Sequence, residues 1–313
     1  MTGLDVVVGR RTTVALDVIE FELRPAGGGE LPAWEPGAHI DVVTGAGIVR
    51  QYSLCGDPAD RTSYRIAVLR QPGGRGGSTW LHERLHEGDH VVISGPRNHF
   101  PLEAGARYVF LAGGIGITPL LTMIRRVAAD GADWALHYGG RTRASMAYAD
   151  ALRAVDPGKV RLLPFDECGL IDLAAALDEV SPETQVYCCG PEPLIAAAEA
   201  ECGRRGVRLH TERFTPKQFG SSLVDTPFTV RIASTGARLA VPPGRTIVDV
   251  LIEAGVDVLT SCEEGTCGTC ETAVLGGVPD HRDSVLTEDE QAAGDRILPC
   301  VSRSRTAELV LDL

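Results

Sequence analysis

The sequence predicts a multidomain fold: an antiparallel β-barrel, an α/β doubly wound parallel sheet, and a small α+β domain. Three observations predict it. Short β-rich runs separated by glycine and proline fill the first third of the chain. Strand and helix patterns then alternate through the middle third. In the last stretch Cys262, Cys267, Cys270 and Cys300 gather in an acidic segment.

Composition allows such a chain and narrows its partners. At 313 residues, with 44% hydrophobic and 23% charged side chains, two or three globular domains are expected. The net charge of −12 and the lack of any long basic cluster speak against nucleic acid and anionic membrane. A basic protein partner is the better expectation. "MTGLDVVVGRRTTVALD" has no signal-peptide pattern. The longest uncharged run, Tyr108 to Ile124, is 17 residues and holds Gly113, Gly114, Gly116 and Pro119. A strand, a glycine turn and a helix account for it better than a bilayer span of about 20 residues. The expected setting is cytoplasmic, where thiols stay reduced and disulfides are rare.

In the first zone, residues 1–103, the runs "TVALDVIEFEL", "HIDVV", "SYRIAVLR" and "HVVIS" read as strands, and only "STWLHERLH" has a helical period. In residues 104–218, "RYVFLAG", "WALHYGG", "VRLLPF", "QVYCCG" and "VRLHTERF" read as strands. They alternate with helix candidates "PLLTMIRRVAAD", "ASMAYADALRAV", "LIDLAAALDEV" and "PEPLIAAAEAECGRR". "TPKQFGSSLVDTP", 215–227, reads as a linker. The third zone, 226–313, has strands at "FTVRIAS", "ARLAVP" and "AELVLDL" and a helix at "TIVDVLIEAG". From Phe228 onward it carries 14 Asp and Glu against 7 Arg.

The cysteine spacing is C-x4-C-x2-C-x29-C. Four-cysteine zinc sites usually come as two C-x2-C knuckles, whereas three close cysteines and one distant one is the plant-type [2Fe–2S] spacing. Gly265 and Gly268 let backbone amides turn toward the sulfurs. Cys262, Cys267, Cys270 and Cys300 are the metal ligands on this reading. Residues 226–313 resemble plant-type ferredoxins, which implies a β-grasp fold.

In "VRQYSLCG", Arg50 and Tyr52 are two apart on a strand, so a cation and an aromatic plane share one face. "PGGRGGSTW" leads Gly73, Gly74, Gly76, Gly77 and Ser78 into a helix start, a phosphate-binding pattern. Together these segments resemble flavin reductases of the ferredoxin-reductase superfamily. The resemblance implies that Arg50 and Ser78 hold phosphate with Gly74, Gly76 and Gly77, while Tyr52 packs on the isoalloxazine. It places Gln51 beside the cofactor, Ser53 near the reactive edge, and Ala67, Val68 and Leu69 along the pocket. "GRGGS" with "PRNHFPL", 96–102, resembles the FMN branch of that superfamily more than the FAD branch.

"FLAGGIGITPLL" follows a strand and opens a helix, so Gly113, Gly114 and Gly116 let a dinucleotide approach the backbone. Thr118 is placed within reach of the flavin. Cys189-Gly190-Pro191 resembles the C-G-P turn beside the nicotinamide in the same superfamily, which puts Cys189 near the hydride path. Ser53, Thr118 and Cys189 are therefore the candidate catalytic residues. No Asp or Glu stands in "YGGRTRAS", 138–145, to bond a ribose hydroxyl. Arg141 and Arg143 can meet a 2′-phosphate, bind the pyrophosphate or face solvent.

The order of flavin barrel, nicotinamide domain and C-terminal ferredoxin resembles the single-chain reductases of Rieske oxygenase systems, the family of phthalate dioxygenase reductase and vanillate demethylase reductase. That resemblance implies an oxidoreductase that moves electrons from NADH, with NADPH the alternative, through FMN and [2Fe–2S] to a terminal oxygenase. A haem-thiolate monooxygenase as acceptor is the rival reading, and a non-enzymatic redox sensor the more distant one. The acidic third zone is expected to dock on a basic patch of the acceptor, with the chain a monomer.

Overall fold

The computed structural model describes residues 3–45, 47–217 and 225–313. The expected linker falls partly outside these, since residues 218–224 are not among them. The chain divides into two units, one ending at Glu212 and one spanning Arg213–Leu313.

The first unit opens with β1 (Leu4–Ala15), β2 (Val18–Pro25), β3 (His39–Val43), β4 (Val49–Ser53), β5 (Tyr64–Leu69) and β6 (His90–Arg97). Their order is β4-β3-β6-β1-β2-β5, and every pairing is antiparallel. A single bridge between Leu54, just past β4, and Ile66 brings the two edge strands together and curls the sheet into a barrel. Alternate strand residues such as Val6, Phe21, Ile40, Ile66, Val68 and Ile93 fill the interior. Helix α1 (Gly77–Arg84) adds Leu81 to the same core. The run expected as one strand, "TVALDVIEFEL", is broken into β1 and β2. Asp17 turns the chain there at φ 59°, a left-handed position that aspartate tolerates.

A five-stranded parallel sheet follows: β7 (Arg107–Gly113), β8 (Asp133–Gly140), β9 (Val160–Pro164), β10 (Gln185–Cys189) and β11 (Leu209–Glu212). Its order is β11-β10-β7-β8-β9. The chain builds from β7 outward to β9, then returns on the other side of β7, so the order reverses between β7 and β10. Helices α2 (Ile117–Ala129) and α3 (Ala149–Val155) bury Leu120, Ile124 and Leu152 against Phe110, Leu136 and Tyr138 on one face. On the other face α6 (Glu192–Arg205) packs Ile195, Ala198 and Cys202 against Val109, Leu111 and Val186. The helix expected across "LIDLAAALDEV" is a single turn, α5 (Leu173–Ala176), preceded by another, α4 (Phe165–Cys168). Leu173 and Ala176 only lean on the core beneath α6, while Leu177, just past the end of α5, is fully buried in it.

Barrel and parallel sheet share a core. Val18, Cys55, Ala67 and Phe100 belong to the same apolar cluster as α2, β7 and β8. Polar contacts reinforce this seam. The Tyr148 hydroxyl donates to Glu20 Oε2 at 2.7 Å and lies 3.4 Å from Cys55 Sγ. The Leu16 amide donates to the Ala144 carbonyl at 2.8 Å, and Arg125 Nη1 to the Cys55 carbonyl at 3.4 Å. The two sheets thus form one unit across the boundary expected at 103/104.

In the second unit β12 (Phe228–Ile232), β13 (Arg238–Val241), β14 (Thr272–Gly276), β16 (Arg296–Ile297) and β18 (Glu308–Leu311) form a sheet in the order β13-β12-β18-β14-β16. The short strands β15 (Pro279–Asp280) and β17 (Arg303–Ser304) make a separate ribbon. Only β12 and β18 are parallel, as in a β-grasp. Helix α7 (Ile247–Glu253) starts with a reciprocal cap between Thr246 and Asp249 and buries Ile247 and Leu251 with Val230 and Leu309. Helix α8 (Glu288–Ala293) begins with a similar cap at Thr287. Among the described residues no helix is long and apolar enough to cross a membrane.

The seam makes a direct prediction. Tyr148→Phe removes the donor to Glu20 and should cost about 1–3 kcal/mol. A lower urea midpoint with an unchanged m value is the expected result; no change would mean the hydroxyl contributes nothing to the seam.

Candidate functional site

On the barrel, β4 presents the expected strand face. Gln51 turns the other way and donates to Asp41 Oδ1 at 2.7 Å, so its side chain is removed from the face of Arg50 and Tyr52. That departs from its expected place beside a cofactor, and strand alternation is the reason. The stem of Arg50 crosses the start of α1 so closely that a Cβ at Gly77 would lie 2.6 Å from Arg50 Cγ. Gly76 caps that helix at φ 88°, and no side chain takes its first amides. A guanidinium beside uncapped amides is a phosphate cradle. Ser78 Oγ accepts the Gln71 amide at 3.1 Å, which folds the glycine loop and leaves the hydroxyl proton to donate. Gly74 closes the same loop through the Gln71 carbonyl. Tyr52 is half-buried against the barrel core, and burial raises its hydroxyl pKa while Arg50 opposes the rise.

On β5, Ala67 and Leu69 pack toward the parallel sheet. Val68 points into the barrel core and is fully buried, so its side chain does not line an outer pocket as expected. The β5 strand lies against the Gly114–Gly116 turn.

At the switch point of the parallel sheet the two expected glycine segments meet. A Cβ at Gly116 would stand 2.2 Å from the Cys189 carbonyl oxygen. One at Gly113 would reach Pro191 Cδ at 2.5 Å, and one at Gly190 would reach Gly113 Cα at 2.9 Å. Gly114 needs its left-handed φ of 55°. Backbone therefore touches backbone at the C-terminal ends of β7 and β10, where open α/β sheets bind ligands. Thr118 is buried at the start of α2, and its hydroxyl donates to the Ile115 carbonyl at 3.0 Å. Cys189 is fully buried, and burial followed by the nearby Glu212 pushes its thiol well above the usual range, so it stays protonated.

Glu212 is a residue that sequence reasoning missed. It ends β11 opposite Cys189 and accepts from the Ser53 hydroxyl at 3.4 Å, linking barrel and sheet. Its surface is only half-buried, yet desolvation pushes its carboxyl up to about 8, with Ser53 pulling the other way. A carboxyl of that kind beside two candidate catalytic residues is the mark of a functional crevice. The only signal in the sequence was an acid closing the last strand, "HTE".

Beyond β8, Arg143 has a partner that its own segment does not supply. Arg143 makes a bidentate pair with Glu167, at 2.8 and 3.3 Å, and the Asp166 amide donates to the Arg141 carbonyl at 3.3 Å. The acids absent from 138–145 come from α4, at the end of the neighbouring strand. The Glu167 carboxylate raises the Arg143 pKa, and Arg143 in turn lowers that of Glu167.

In the second unit all four expected cysteines are buried, at 2–4% exposure. They pair two and two: Cys262 with Cys267, and Cys270 with Cys300. Cys262 Sγ accepts the Glu264 and Thr266 amides at 3.3 and 3.5 Å, and Thr269 Oγ1 lies 3.1 Å from Cys267 Sγ. Gly265 and Gly268 take φ 68°, and Glu263 φ 56°, so the loop holds three left-handed positions. Among the described residues no three His, Cys, Asp or Glu side chains converge on one ion. Two thiol pairs suit a two-iron cluster, with two thiolates per iron, better than one tetrahedral zinc.

Comparison with known proteins bears on both units. The model of the oxidoreductase NAD-binding domain matches residues 110–200, and that of the 2Fe-2S iron-sulfur cluster binding domain matches 230–305. Vanillate O-demethylase oxidoreductase from Pseudomonas sp. (strain HR199 / DSM 7063) is 43% identical over 99% of this chain and 100% of its own. Phthalate dioxygenase reductase from Burkholderia cepacia is 39% identical over 98% of this chain and 96% of its own. A solved structure of a phthalate dioxygenase reductase superposes with a TM-score of 0.71 at 39% identity, covering 99% of this chain and 98% of its own. An intact type IV self-sufficient cytochrome P450 monooxygenase superposes with a TM-score of 0.93 at 41% identity over 99% of this chain. This chain spans about two fifths of that protein, 41%.

Glu212 supplies a pH test. Between the usual 4.5 and about 8 the folded state holds a proton that the unfolded chain releases, so stability falls as pH rises through that window. Glu212→Gln should flatten this part of the profile in thermal unfolding from pH 5 to 9. An unchanged slope would mean the carboxyl ionises normally.

Proposed function

The chain belongs to the family of reductases that includes phthalate dioxygenase reductase and vanillate O-demethylase oxidoreductase, and on that premise we propose the following path. Electrons enter as hydride from NADH and pass through FMN on the barrel to a [2Fe–2S] cluster in the second unit. They leave to a terminal oxygenase of the Rieske type, in an aromatic oxygenation or O-demethylation system. The observation that carries this reading is a glycine crevice at a topological switch point in the same chain as two buried thiol pairs.

When bound, FMN takes the two electrons of a hydride together and passes them on singly, which the nucleotide cannot do. This chain's residues bind and orient. Arg50, Ser78 and the free amides of α1, reached through Gly74, Gly76 and Gly77, hold the flavin phosphate. Tyr52 covers the ring, with Ala67 and Leu69 beside it. Gly113, Gly114, Gly116, Gly190 and Pro191 admit the nicotinamide half of the nucleotide. Ser53, Cys189 and Glu212 surround the transfer path, and Thr118 fixes the turn that carries it. Glu167, held by Arg143, is the proposed acceptor for the ribose hydroxyls of NADH. Cys262, Cys267, Cys270 and Cys300 hold the cluster.

The setting proposed is the cytoplasm, where thiols stay reduced. The acidic second unit docks on a basic patch of the acceptor, with the chain a monomer. A haem-thiolate monooxygenase as acceptor is a second reading, favoured by the superposition on the P450 fusion.

An anaerobic titration with NADH and then NADPH tests the path. Both flavin and cluster absorbance should bleach, at lower concentration with NADH. Cys267→Ser should bleach the flavin alone. No bleaching by either nucleotide would overturn the reductase reading. Electron transfer to the acceptor should slow as salt rises from low ionic strength, because docking charges are screened; a flat rate would remove the basic-patch reading.

A further inference from the structure

The chain leaves the crevice at Glu212, the last residue of β11, and from Arg213 onward it belongs to the second unit. Within that unit the Lys217 amide donates to Ser284 Oγ at 2.8 Å. Ser284 in turn donates its own amide to the Gly265 carbonyl at 2.8 Å. Gly265 stands between Cys262 and Cys267. It is packed so closely on this segment that a Cβ there would lie 3.2 Å from Asp283 Cα and 2.6 Å from Val301 Cγ2. The backbone of Ser284 is therefore fixed to the cysteine loop, and its side chain is left to take Lys217.

Chain length gives this bond its weight. Five residues, 213–217, lead from Glu212 to the anchored amide. At about 3.6 Å per residue they reach at most about 18 Å. Pro216 fixes its own φ and pushes Thr215 toward the extended region, which stiffens the stretch. Past Lys217 the next described residue is Asp225. Its carboxylate pairs with Arg282 at 2.7 Å and accepts the Gly244 amide at 3.1 Å. Asp225 is 13 residues from Glu212, or about 45 Å at full extension. These limits follow from covalent connectivity alone.

We propose that Ser284 is a positioning residue for the single-electron step between FMN and the [2Fe–2S] cluster: by anchoring Lys217 it shortens the tether between crevice and cysteine loop from 13 residues to five. This rests on the electron path proposed above. In that step one electron leaves the flavin and one enters the cluster, so no further reactant takes part. The two groups belong to separate units, and how often they meet depends on the tether that joins them. Effective concentration falls roughly as the −3/2 power of tether length, so release from five to 13 residues lowers it about fourfold. Hydride transfer, which the path confines to the first unit, is untouched.

Stopped-flow reduction of the full chain by NADH without oxygen separates the two steps, because flavin and cluster absorbance bleach in turn. Ser284→Ala should leave the flavin phase unchanged and slow the cluster phase about fourfold, with cluster content and midpoint potential unmoved. Ser284→Thr keeps the hydroxyl and should restore the parent rate. Lys217→Pro removes only the amide donor and should slow the same phase by the same factor, whereas Lys217→Ala keeps the donor and should not. The double variant of Ser284→Ala with Lys217→Pro should be no slower than either alone, since both delete one bond. An unchanged cluster phase overturns the proposal, as tether length then does not limit the step. A shifted midpoint in Ser284→Ala, or additive slowing in the double variant, overturns it too, because Ser284 then acts on the loop directly. If Ser284→Ala assembles no cluster, Lys217→Pro is compared with Lys217→Ala: slower transfer supports the anchor and equal rates overturn it. A parent chain whose flavin bleaches while its cluster does not sinks the electron path itself.

Discussion

Much of the first unit depends on one close approach: the turn after β7 lies backbone against backbone on the turn after β10. Gly116 sits where any Cβ would overlap the Cys189 carbonyl, and Gly113 and Gly190 are equally confined. A methyl group at any of the three would force the two strand ends apart by more than side chains can absorb. Because β7 and β10 are neighbours at the reversal of strand order, this contact creates the crevice and fixes its width. Cys189 and Glu212 are register partners at the same strand ends, so their placement follows from the same glycines.

The barrel is brought to that crevice by the seam, and the seam is mixed in character. Its apolar part, Val18, Ala67 and Phe100 on the core of α2, supplies area without direction. Its polar part, Tyr148 with Glu20 and Cys55, is directional. Tyr148 holds a left-handed φ of 60°, unusual for a bulky residue and sustained only when the surroundings fix it. A strained residue at the join of two sheets is consistent with a join whose angle matters. Ser53 donating to Glu212 is a second polar tie across the same join, next to the crevice.

Much of this was legible in the sequence, for physical reasons. Glycine-rich turns after strands announce close backbone approach, and uneven cysteine spacing announces a cluster loop. What stayed hidden depends on strand neighbours far apart in sequence. Gln51 and Val68 sit within motifs expected to face a flavin, yet strand alternation turns their side chains onto Asp41 and into the barrel core. Glu167 lies on a different strand connection from Arg143, so only the β8–β9 pairing shows that they meet. Glu212 looks like any surface acid until its strand is laid beside Cys189. The shortened α5 shows that alanine propensity alone does not extend a helix past the single turn that packs on the core.

The division into two units follows from what each is asked to move. A hydride travels with its nucleus, so donor and acceptor must be held near van der Waals contact and in line. Groups with that requirement belong in one packed body, and the barrel and parallel sheet share a core that provides it. A single electron carries no such demand on atomic overlap. The thiol pairs can therefore lie in a separate unit with its own core, its own caps and its own excess of acids. What that unit must control is the energy of its electron. The means the loop offers for this are the amides on Cys262 and the close packing at Gly265 and Val301.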